Sequence, residues 1–241
     1  MYRKKIDMKF AIISAGEGSR LSQEGVKLPK PLVQLNGTAM IDRLIHVFAE
    51  NGADEVVVII NNEVPLTKAH LAELEQKSEV PLRVIVKTTP SSMHSFYELS
   101  PYLREDRFCL TTVDTIFRED EFSEFIRAFK ASGKDGMMAV TDYIDDEKPL
   151  YIGTDEDLSI TGFYDSAMPG TKYISGGIYC LTPKAIGTLE YCISHGMARM
   201  RNFQRQLVAD GLKLEAYPFS KILDVDHAGD IVKAEAFLNG K

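Results

Sequence analysis

The feature that most constrains this chain is a short apolar run near its N-terminus that ends in a glycine turn. Residues 10–13 are apolar and predict a buried strand, and a Gly-Glu-Gly turn at residues 16–18 follows closely. Arg20 comes next, and Lys30 stands ten residues later between two prolines. A strand that ends in such a turn exposes backbone N–H groups, which bind phosphate well when cations lie nearby. The pattern therefore predicts a place where phosphates bind.

Two common phosphate-binding motifs do not fit this turn. The Walker A loop ends in Gly-Lys-Ser/Thr, which is absent, and the dinucleotide fingerprint needs a third glycine where Leu21 stands. Residues 22–31 are polar and interrupted by proline, so we expect a long loop here and no helix starting at the turn. On these residues alone, an ordinary turn stays an alternative to a phosphate role.

The order of the predicted elements indicates an α/β fold. Up to residue 131, strands predicted at 55–60, 82–86 and 107–113 alternate with helices, which favours a parallel sheet flanked by helices. After residue 136, strand-like runs follow one another without long helices, which predicts a small antiparallel extension. Because no linker or repeat interrupts the chain, we expect one domain over residues 1–241.

Composition narrows the function classes. The formal net charge of −7 disfavours a broad nucleic-acid or anionic-membrane surface. No apolar run approaches the roughly 18 residues that a membrane-spanning helix needs. Three cysteines without a C-x-x-C pair favour free thiols in a reducing compartment. We therefore expect a cytoplasmic protein that binds neither nucleic acid nor membrane.

The first forty residues carry a longer pattern. The strings AGEGSRL and LPKPLVQLNGTAMID resemble the signature of nucleotidyltransferases that act on sugar 1-phosphates and related phosphorylated acceptors. Ser19 stands where that signature has threonine, and the spacing from Arg20 to Lys30 matches it. The resemblance extends, more weakly, over nearly the whole chain. It implies a GT-A-like, Rossmann-related mixed sheet that is mostly parallel.

By this resemblance, the turn and its neighbours form the nucleotide-binding site. Arg20 and Lys30 would be the catalytic cations, which bind the phosphates and neutralise charge as pyrophosphate leaves. The resemblance implies a nucleotide-binding set of Ala15, Gly16, Glu17, Gly18, Ser19, Arg20 and Lys30.

Acidic residues at two places are candidate ligands for Mg²⁺. Asp114 follows a predicted strand, and ligand sites in open α/β sheets lie at the carboxyl ends of strands. A turn-capping role is the alternative for Asp114. Asp224 and Asp226 lie on one face of an extended segment, and the resemblance implies that one of them binds the metal, with Asp226 favoured. Asp230 is expected to interact with the dipole of the last helix.

The acceptor end gives a weaker signal. Ser175-Gly176-Gly177 resembles the Asn-Ala-Gly of the family, and Gly177 is a candidate for close approach of the acceptor, with a β-bulge as the alternative. The Glu-Lys-Pro that the family has before this strand is missing from residues 161–167. Lys172 is the replacement that we expect for its lysine.

These residues lead to a functional hypothesis. The resemblance implies an enzyme of the nucleotidyltransferase class, which moves an NMP from an NTP to a small phosphorylated acceptor with Mg²⁺ and releases pyrophosphate. A sugar 1-phosphate is the first choice of acceptor. Cytidylyl transfer to phosphocholine and a nucleotide-binding regulatory protein with impaired catalysis are the alternatives. The sequence leaves open whether the chain forms a homo-oligomer.

Overall fold

The structure, a computed structural model, describes residues 8–16, 18–145 and 147–240. Glu17, which the resemblance assigns to the nucleotide site, lies outside the described residues. Within the described part of the chain, no helix is long and apolar enough to cross a membrane.

The strands are short, and most of them join one sheet. In chain order they are β1 (Met8–Ser14), β2 (Gln34–Leu35), β3 (Thr38–Ala39), β4 (Ala53–Ile60), β5 (Leu82–Val86), β6 (Arg107–Thr112), β7 (Thr115–Ile116), β8 (Gly136–Thr141), β9 (Tyr151–Thr154), β10 (Ile160–Tyr164), β11 (Tyr173–Leu181), β12 (Leu214–Phe219) and β13 (Leu223–Asp224).

The helices alternate with the strands in the first half and cluster near the end of the chain. They are α1 (Ser19–Gln23), α2 (Met40–Glu50), α3 (Pro65–Lys77), α4 (Ser92–Leu99), α5 (Glu119–Ala131), α6 (Lys184–Ser194), α7 (Met200–Ala209) and α8 (Ala228–Leu238). Single turns of 3₁₀ helix cover Lys30–Leu32 and Ser100–Tyr102.

The central sheet is mostly parallel and confirms the predicted fold class. Its described strands run in the order β5, β4, β1, β6, β11, β8 and β12, and β11 runs antiparallel to both of its neighbours. The first residues of β11 also pair with β9, which forms a hairpin with β10. This hairpin is the predicted antiparallel extension. Two small antiparallel pairs, β2–β3 and β7–β13, lie outside the sheet.

Both faces of the sheet are covered, as the apolar run of β1 predicts. Phe10 and Ile12 pack into one hydrophobic cluster with α2, α5 and α8, whereas Ala11 and Ile13 pack into a second with α4, α6 and α7. Successive side chains of a strand point to opposite faces, so alternate residues of β1 enter different cores. β1 is therefore held firmly, and the loop that follows it starts from a fixed point.

Two local predictions were wrong. The sequence predicts no helix at the glycine turn, yet α1 begins at Ser19. The helix is only five residues long and is anchored by the buried Leu21, so no apolar repeat could reveal it. Threonine is a residue type that often caps helices, so the sequence predicts Thr38 as the cap of the next helix, but Thr38 belongs to β3 and Ala39 occupies the cap position before Met40.

Candidate active site

The glycine turn brings the backbone after β1 against the proline-bounded lysine. Gly18 has a left-handed backbone (φ 61°), which glycine adopts without strain. A Cβ placed on Gly18 would lie 3.0 Å from the Cβ of Lys30, closer than side chains normally pack. Glycine at this position therefore lets two distant parts of the loop meet. Ala15 is buried in the core, while Gly16 and Ser19 line the cavity beside the turn.

Lys30 links two of the predicted carboxylates. Its Nζ forms an ion pair with Asp114 Oδ2 and a second with Asp226 Oδ1 at 2.6 Å. Burial acts to lower the pKa of Lys30, but the two carboxylates outweigh it and raise that pKa above its usual value. For Asp226, burial acts to raise the pKa. The hydrogen bond and positive charge of Lys30, together with the charge of Arg20, outweigh burial and lower that pKa below its usual value. Arg20 Nη1 donates to Asp226 Oδ2 at 3.1 Å.

Backbone pairing explains why Asp114 and Asp226 meet. Asp114 follows β6, and β7 then pairs with β13. The N–H of Val225 donates to the carbonyl of Asp114 at 3.1 Å, which places Asp226 beside the end of β6. The small β7–β13 pair therefore brings together Asp114 and Asp226, which are more than a hundred positions apart in sequence. Lys30 contacts both of them from a third segment.

Two polar atoms in this region are buried and unsatisfied. Within the described residues, neither Asp114 Oδ1 nor Ser14 Oγ has a hydrogen-bond partner. Both residues line a cavity of about 250 Å³ that also includes Gly18, Arg20 and Lys30. Buried acceptors are normally paired, so the unpaired oxygen of a carboxylate residue that lines this cavity is compatible with a bound metal ion or ligand group.

A second cavity of about 370 Å³ adjoins the first, and both are lined by Arg20 and Asp226. It lies between the start of α8, the beginning of β11 and the loop that follows β8. The two cavities form one cleft with Asp226 at the boundary. We call the first the nucleotide cavity and the second the acceptor cavity.

Neither of the two residues that the sequence suggested for acceptor binding lines this second cavity. Gly177 lies in a β-bulge of β11 (φ 73°), which was the alternative interpretation, and Gly176 lines the cavity instead. A Cβ on Gly176 would lie 2.2 Å from Ile222 Cδ1, so this glycine permits close packing of the cavity wall. Lys172 is exposed, lies 3.9 Å from Asp142 and is not among the residues that line the cavity.

The cavity wall contains a lysine that the sequence argument missed. Lys148 lines the acceptor cavity, and the carbonyl of Lys148 accepts a hydrogen bond from Arg201 Nη2 at 3.2 Å. A Glu-Lys-Pro sequence is in fact present, as Glu147-Lys148-Pro149, but it comes before β9. The resemblance placed this motif later in the chain, directly before β11. Only the fold shows that this earlier loop reaches the cleft.

The other two acidic residues named from the sequence, Asp224 and Asp230, have positions different from that of Asp226. Asp224 lines the acceptor cavity only, whereas Asp226 lines both cavities. Asp230 accepts hydrogen bonds from the backbone N–H groups of His227 and Asp226 at 2.8 and 3.2 Å. It therefore caps the N-terminus of α8, as its expected interaction with the helix dipole requires.

A further ionic contact, absent from the sequence argument, joins α1 to α8. The carboxylate of Glu24 accepts the backbone N–H of Ala228 at 2.6 Å and contacts His227 Nδ1 at the same distance. The hydrogen bond to Glu24 raises the pKa of His227, and that to His227 lowers the pKa of Glu24. Together with the Arg20–Asp226 pair, this contact holds the segment that carries Asp226 against the loop that contains the glycine turn.

The model of the MobA-like NTP transferase domain matches residues 10–205, most of the chain. The chain belongs to this family. The NTP transferase domain match covers most of β1 (from residue 10), the glycine turn, Lys30 and Asp114, and it ends before Asp226.

Individual proteins extend this comparison. A mannose-1-phosphate guanyltransferase of Neurospora crassa is 26% identical over an alignment of 192 residues that covers 76% of this chain and 52% of that protein. The chain thus spans about half the length of the curated relatives it matches. The fold superposes on an inositol-1-phosphate CTP transferase from T. maritima with a TM-score of 0.80 at 16% identity, covering 98% and 97% of the two chains. A CTP:phosphocholine cytidylyltransferase from Streptococcus pneumoniae gives a TM-score of 0.73 at 18% identity, with 97% and 100% coverage.

Proposed function

We propose that the protein transfers an NMP from an NTP to a phosphorylated acceptor, a sugar 1-phosphate, and releases pyrophosphate. The observation that carries this proposal is the contact of Lys30 with Asp114 and Asp226, because all three line one cavity and Asp226 also lines the adjoining one. A group of this kind suits the joining of two phosphorylated substrates, because each cavity holds one substrate and the charges lie between them. The family membership and the similarity to the mannose-1-phosphate guanyltransferase support the same assignment.

In the proposed reaction, an oxygen of the acceptor phosphate attacks the α-phosphorus, and the bond from that phosphorus to the bridging oxygen breaks. The electron pair leaves with pyrophosphate, so no covalent enzyme intermediate is required. Lys30 and Arg20 balance the negative charge that develops on the departing phosphates. Gly16 and Gly18 line this cavity and keep side chains away from the phosphate path.

Asp114 and Asp226 would hold Mg²⁺. The unpaired, buried Oδ1 of Asp114 fits this role, and two carboxylates with substrate phosphates are a usual Mg²⁺ ligand set. The described residues contain no cluster of three or more His, Cys, Asp or Glu that could hold a metal alone, which agrees with a site completed by the nucleotide. When bound, Mg²⁺ would supply positive charge to the triphosphate.

The acceptor cavity favours a polyhydroxylated acceptor over phosphocholine. Ser175 lines the cavity, and its hydroxyl donates to Oε1 of the buried Gln204 at 3.2 Å, which gives a polar wall suited to a hydroxylated substrate. A quaternary ammonium group needs open aromatic faces. Among the described residues that line the cavity, Tyr143 and His227 carry aromatic rings. Lys221 lies 4.1 Å from the ring centroid of Tyr143, which disfavours a second cation there, and His227 contacts Glu24.

The proposal is tested by incubating the protein with each NTP, Mg²⁺ and a panel of sugar 1-phosphates and phosphocholine, while pyrophosphate release is followed. We expect release with at least one sugar 1-phosphate and none after chelation of the metal. Release with phosphocholine alone would overturn the acceptor class. Tight NTP binding without release for any acceptor would instead support the regulatory alternative.

A further inference from the structure

A buried glutamine on helix α7 lies behind the wall of the acceptor cavity. Gln204 is only 2% exposed, and in the described part of the chain no residue of α7 lines either cavity of the cleft. Burying an amide is costly unless its carbonyl and its NH₂ group both find hydrogen-bond partners. The partners of Gln204 therefore decide what its burial achieves.

Gln204 bridges two hydroxyl groups of β11. Its Oε1 accepts a hydrogen bond from Ser175 Oγ at 3.2 Å, and its Nε2 donates to the hydroxyl of Tyr179 at 3.4 Å. Ser175 lines the acceptor cavity, whereas Tyr179 is buried and does not line it. Because Tyr179 engages the NH₂ end of the amide, the carbonyl is the end that faces Ser175.

The direction of the Ser175 hydroxyl depends on this contact. The backbone of Ser175 is fixed, because its N–H donates to the carbonyl of Leu150 at 2.9 Å and the residue pairs with Val140 of β8. The side chain can still rotate among three staggered positions about its Cα–Cβ bond. The hydrogen bond to Gln204 selects one of these positions.

Helix α7 is itself anchored next to the acceptor cavity. Arg201 Nη1 and Arg205 Nη2 pair with the two carboxylate oxygens of Asp165 at 2.5 and 2.7 Å. Arg201 Nη2 also donates to the carbonyl of Lys148, which lines the cavity, at 3.2 Å. The two arginines stand three residues before and one residue after Gln204, so the amide projects from a turn of the helix that is held on both sides.

We infer that Gln204 is a positioning residue for acceptor selection, which fixes the Ser175 hydroxyl so that it meets a hydroxyl group of the acceptor. Gln204 does not touch the substrate and acts through Ser175. Fixing this hydroxyl before the acceptor binds removes the ordering of a side chain from the binding step. The inference rests on the proposed function and deepens it, because it assigns this wall of the cavity to the hydroxyl groups of the acceptor and not to its phosphate.

Gln204→Met tests the inference, because methionine is of similar length and lacks the amide. Once pyrophosphate release has identified an acceptor, we expect the KM of that acceptor to rise about tenfold, while kcat and the KM of the NTP stay within about twofold of wild type. Gln206→Met is the matched control on the same helix, since Gln206 bonds to Asp210 at the end of α7, and it should keep wild-type values. An unchanged acceptor KM in Gln204→Met would overturn the inference.

Ser175→Ala separates positioning from a general loss of packing. If Gln204 acts through Ser175, the variant that combines Ser175→Ala with Gln204→Met should have the acceptor KM of Ser175→Ala alone, within about twofold. This is expected because Gln204 then has no cavity hydroxyl to hold. Effects of the two substitutions that multiply would show separate roles and would contradict the inference.

A second variant is used if Gln204→Met does not fold by circular dichroism. Tyr179→Phe removes the hydroxyl that Gln204 Nε2 donates to, so the amide can turn and the acceptor KM should rise about threefold. An acceptor KM equal to that of wild type would then count against the role of Gln204.

A binding measurement distinguishes failure of this inference from failure of the proposed function. If the wild-type protein releases no pyrophosphate with any acceptor, the proposed function is wrong, and the affinity for sugar 1-phosphates is measured by isothermal titration calorimetry. An affinity about tenfold weaker in Gln204→Met, with Gln206→Met unchanged, would still support the inference. Equal affinities, or no binding by the wild-type protein, would overturn the inference as well.

Discussion

The two halves of the cleft are built in different ways. In the nucleotide cavity, the side chains of Lys30 and Asp114 are only 14% and 17% exposed and contact each other directly. In the acceptor cavity, Lys233 and Asp145 form a comparable ion pair at 3.0 Å, but their side chains are 51% and 41% exposed. Charges in a buried site interact more strongly than those in contact with water.

Under the proposed function, this difference in burial assigns catalysis to the nucleotide cavity and acceptor selection to the acceptor cavity. The nucleotide cavity stands on the ends of β1 and β6, which are central strands of the sheet, so its charges hold fixed positions. The acceptor cavity takes Lys148 and Glu147 from the exposed loop before β9, a peripheral strand. Rigid strand ends suit the chemistry common to all nucleotide transfers, and exposed loops suit selection among acceptors. Substitutions in the first cavity should therefore lower turnover, and those in the second should change acceptor affinity.

The largest effect is expected for Lys30→Ala. The variant loses a cation at the triphosphate and leaves Asp114 and Asp226 without their shared counter-ion, so kcat/KM should fall by at least roughly 100-fold. Steady-state pyrophosphate release measures this. Lys27→Ala, an exposed lysine of the same loop, is the matched control and should keep wild-type turnover. Equal rates for the two variants would contradict the assignment.

Asp114→Ala is expected to reduce metal-dependent turnover by roughly 100-fold or more, because a buried carboxylate is lost from the site. Titration with Mg²⁺ should show a weaker metal response as well as the lower rate. Asp106→Ala, which lies before the opposite end of β6, is the control. Unchanged Mg²⁺-dependent turnover in Asp114→Ala would remove Asp114 from the site.

Asp226→Asn and Asp224→Asn test which of the two carboxylates binds the metal and which one acts only in the acceptor cavity. The Asp226 side chain is more exposed than that of Asp114, so its loss should cost somewhat less, roughly 30-fold in kcat. Asp224 lines the acceptor cavity alone, and its variant should change the KM of the acceptor with little effect on the Mg²⁺ response. The reverse pattern would assign the metal to Asp224.

Lys148→Ala tests the acceptor half. We expect the KM of the acceptor to rise about tenfold, the value of one charge-assisted contact to phosphate, while the KM of the NTP stays constant. Lys172→Ala, a lysine outside the cavity, should behave as wild type. If Lys172→Ala alone raised the KM of the acceptor, the prediction from the sequence would be restored and the structural interpretation would fail.

The smallest effect is expected for Glu24→Gln. The amide can still accept the N–H of Ala228 but no longer pairs with protonated His227. Exposed ion pairs contribute little, so we expect the KM of the Mg²⁺–NTP complex to rise about threefold with kcat retained. The exposed Glu73→Gln on α3 serves as the reference. A drop in kcat comparable to that of Asp114→Ala would mean that Glu24 acts in the reaction itself.

The nucleotide half could be predicted because its signals are local. A strand, a glycine turn and a proline-bounded lysine lie within about twenty residues, and their spacing is set by the loop they form. The acceptor half could not be predicted in the same way. The sequence contains Glu147-Lys148-Pro149, but only the pairing of β9 with β10 and β11 shows that this loop lines the cleft.

The sequence by itself determined the α/β class, the parallel core and the segment that contributes the glycine turn and Lys30 to the first cavity, because apolar periodicity and glycine or proline geometry act over short distances. Only the tertiary structure decided that Asp114 and Asp226 both pair with Lys30, and that Gly176 and not Gly177 lines the acceptor cavity. Each of these depends on strand pairing or packing between distant segments, which a local pattern does not encode.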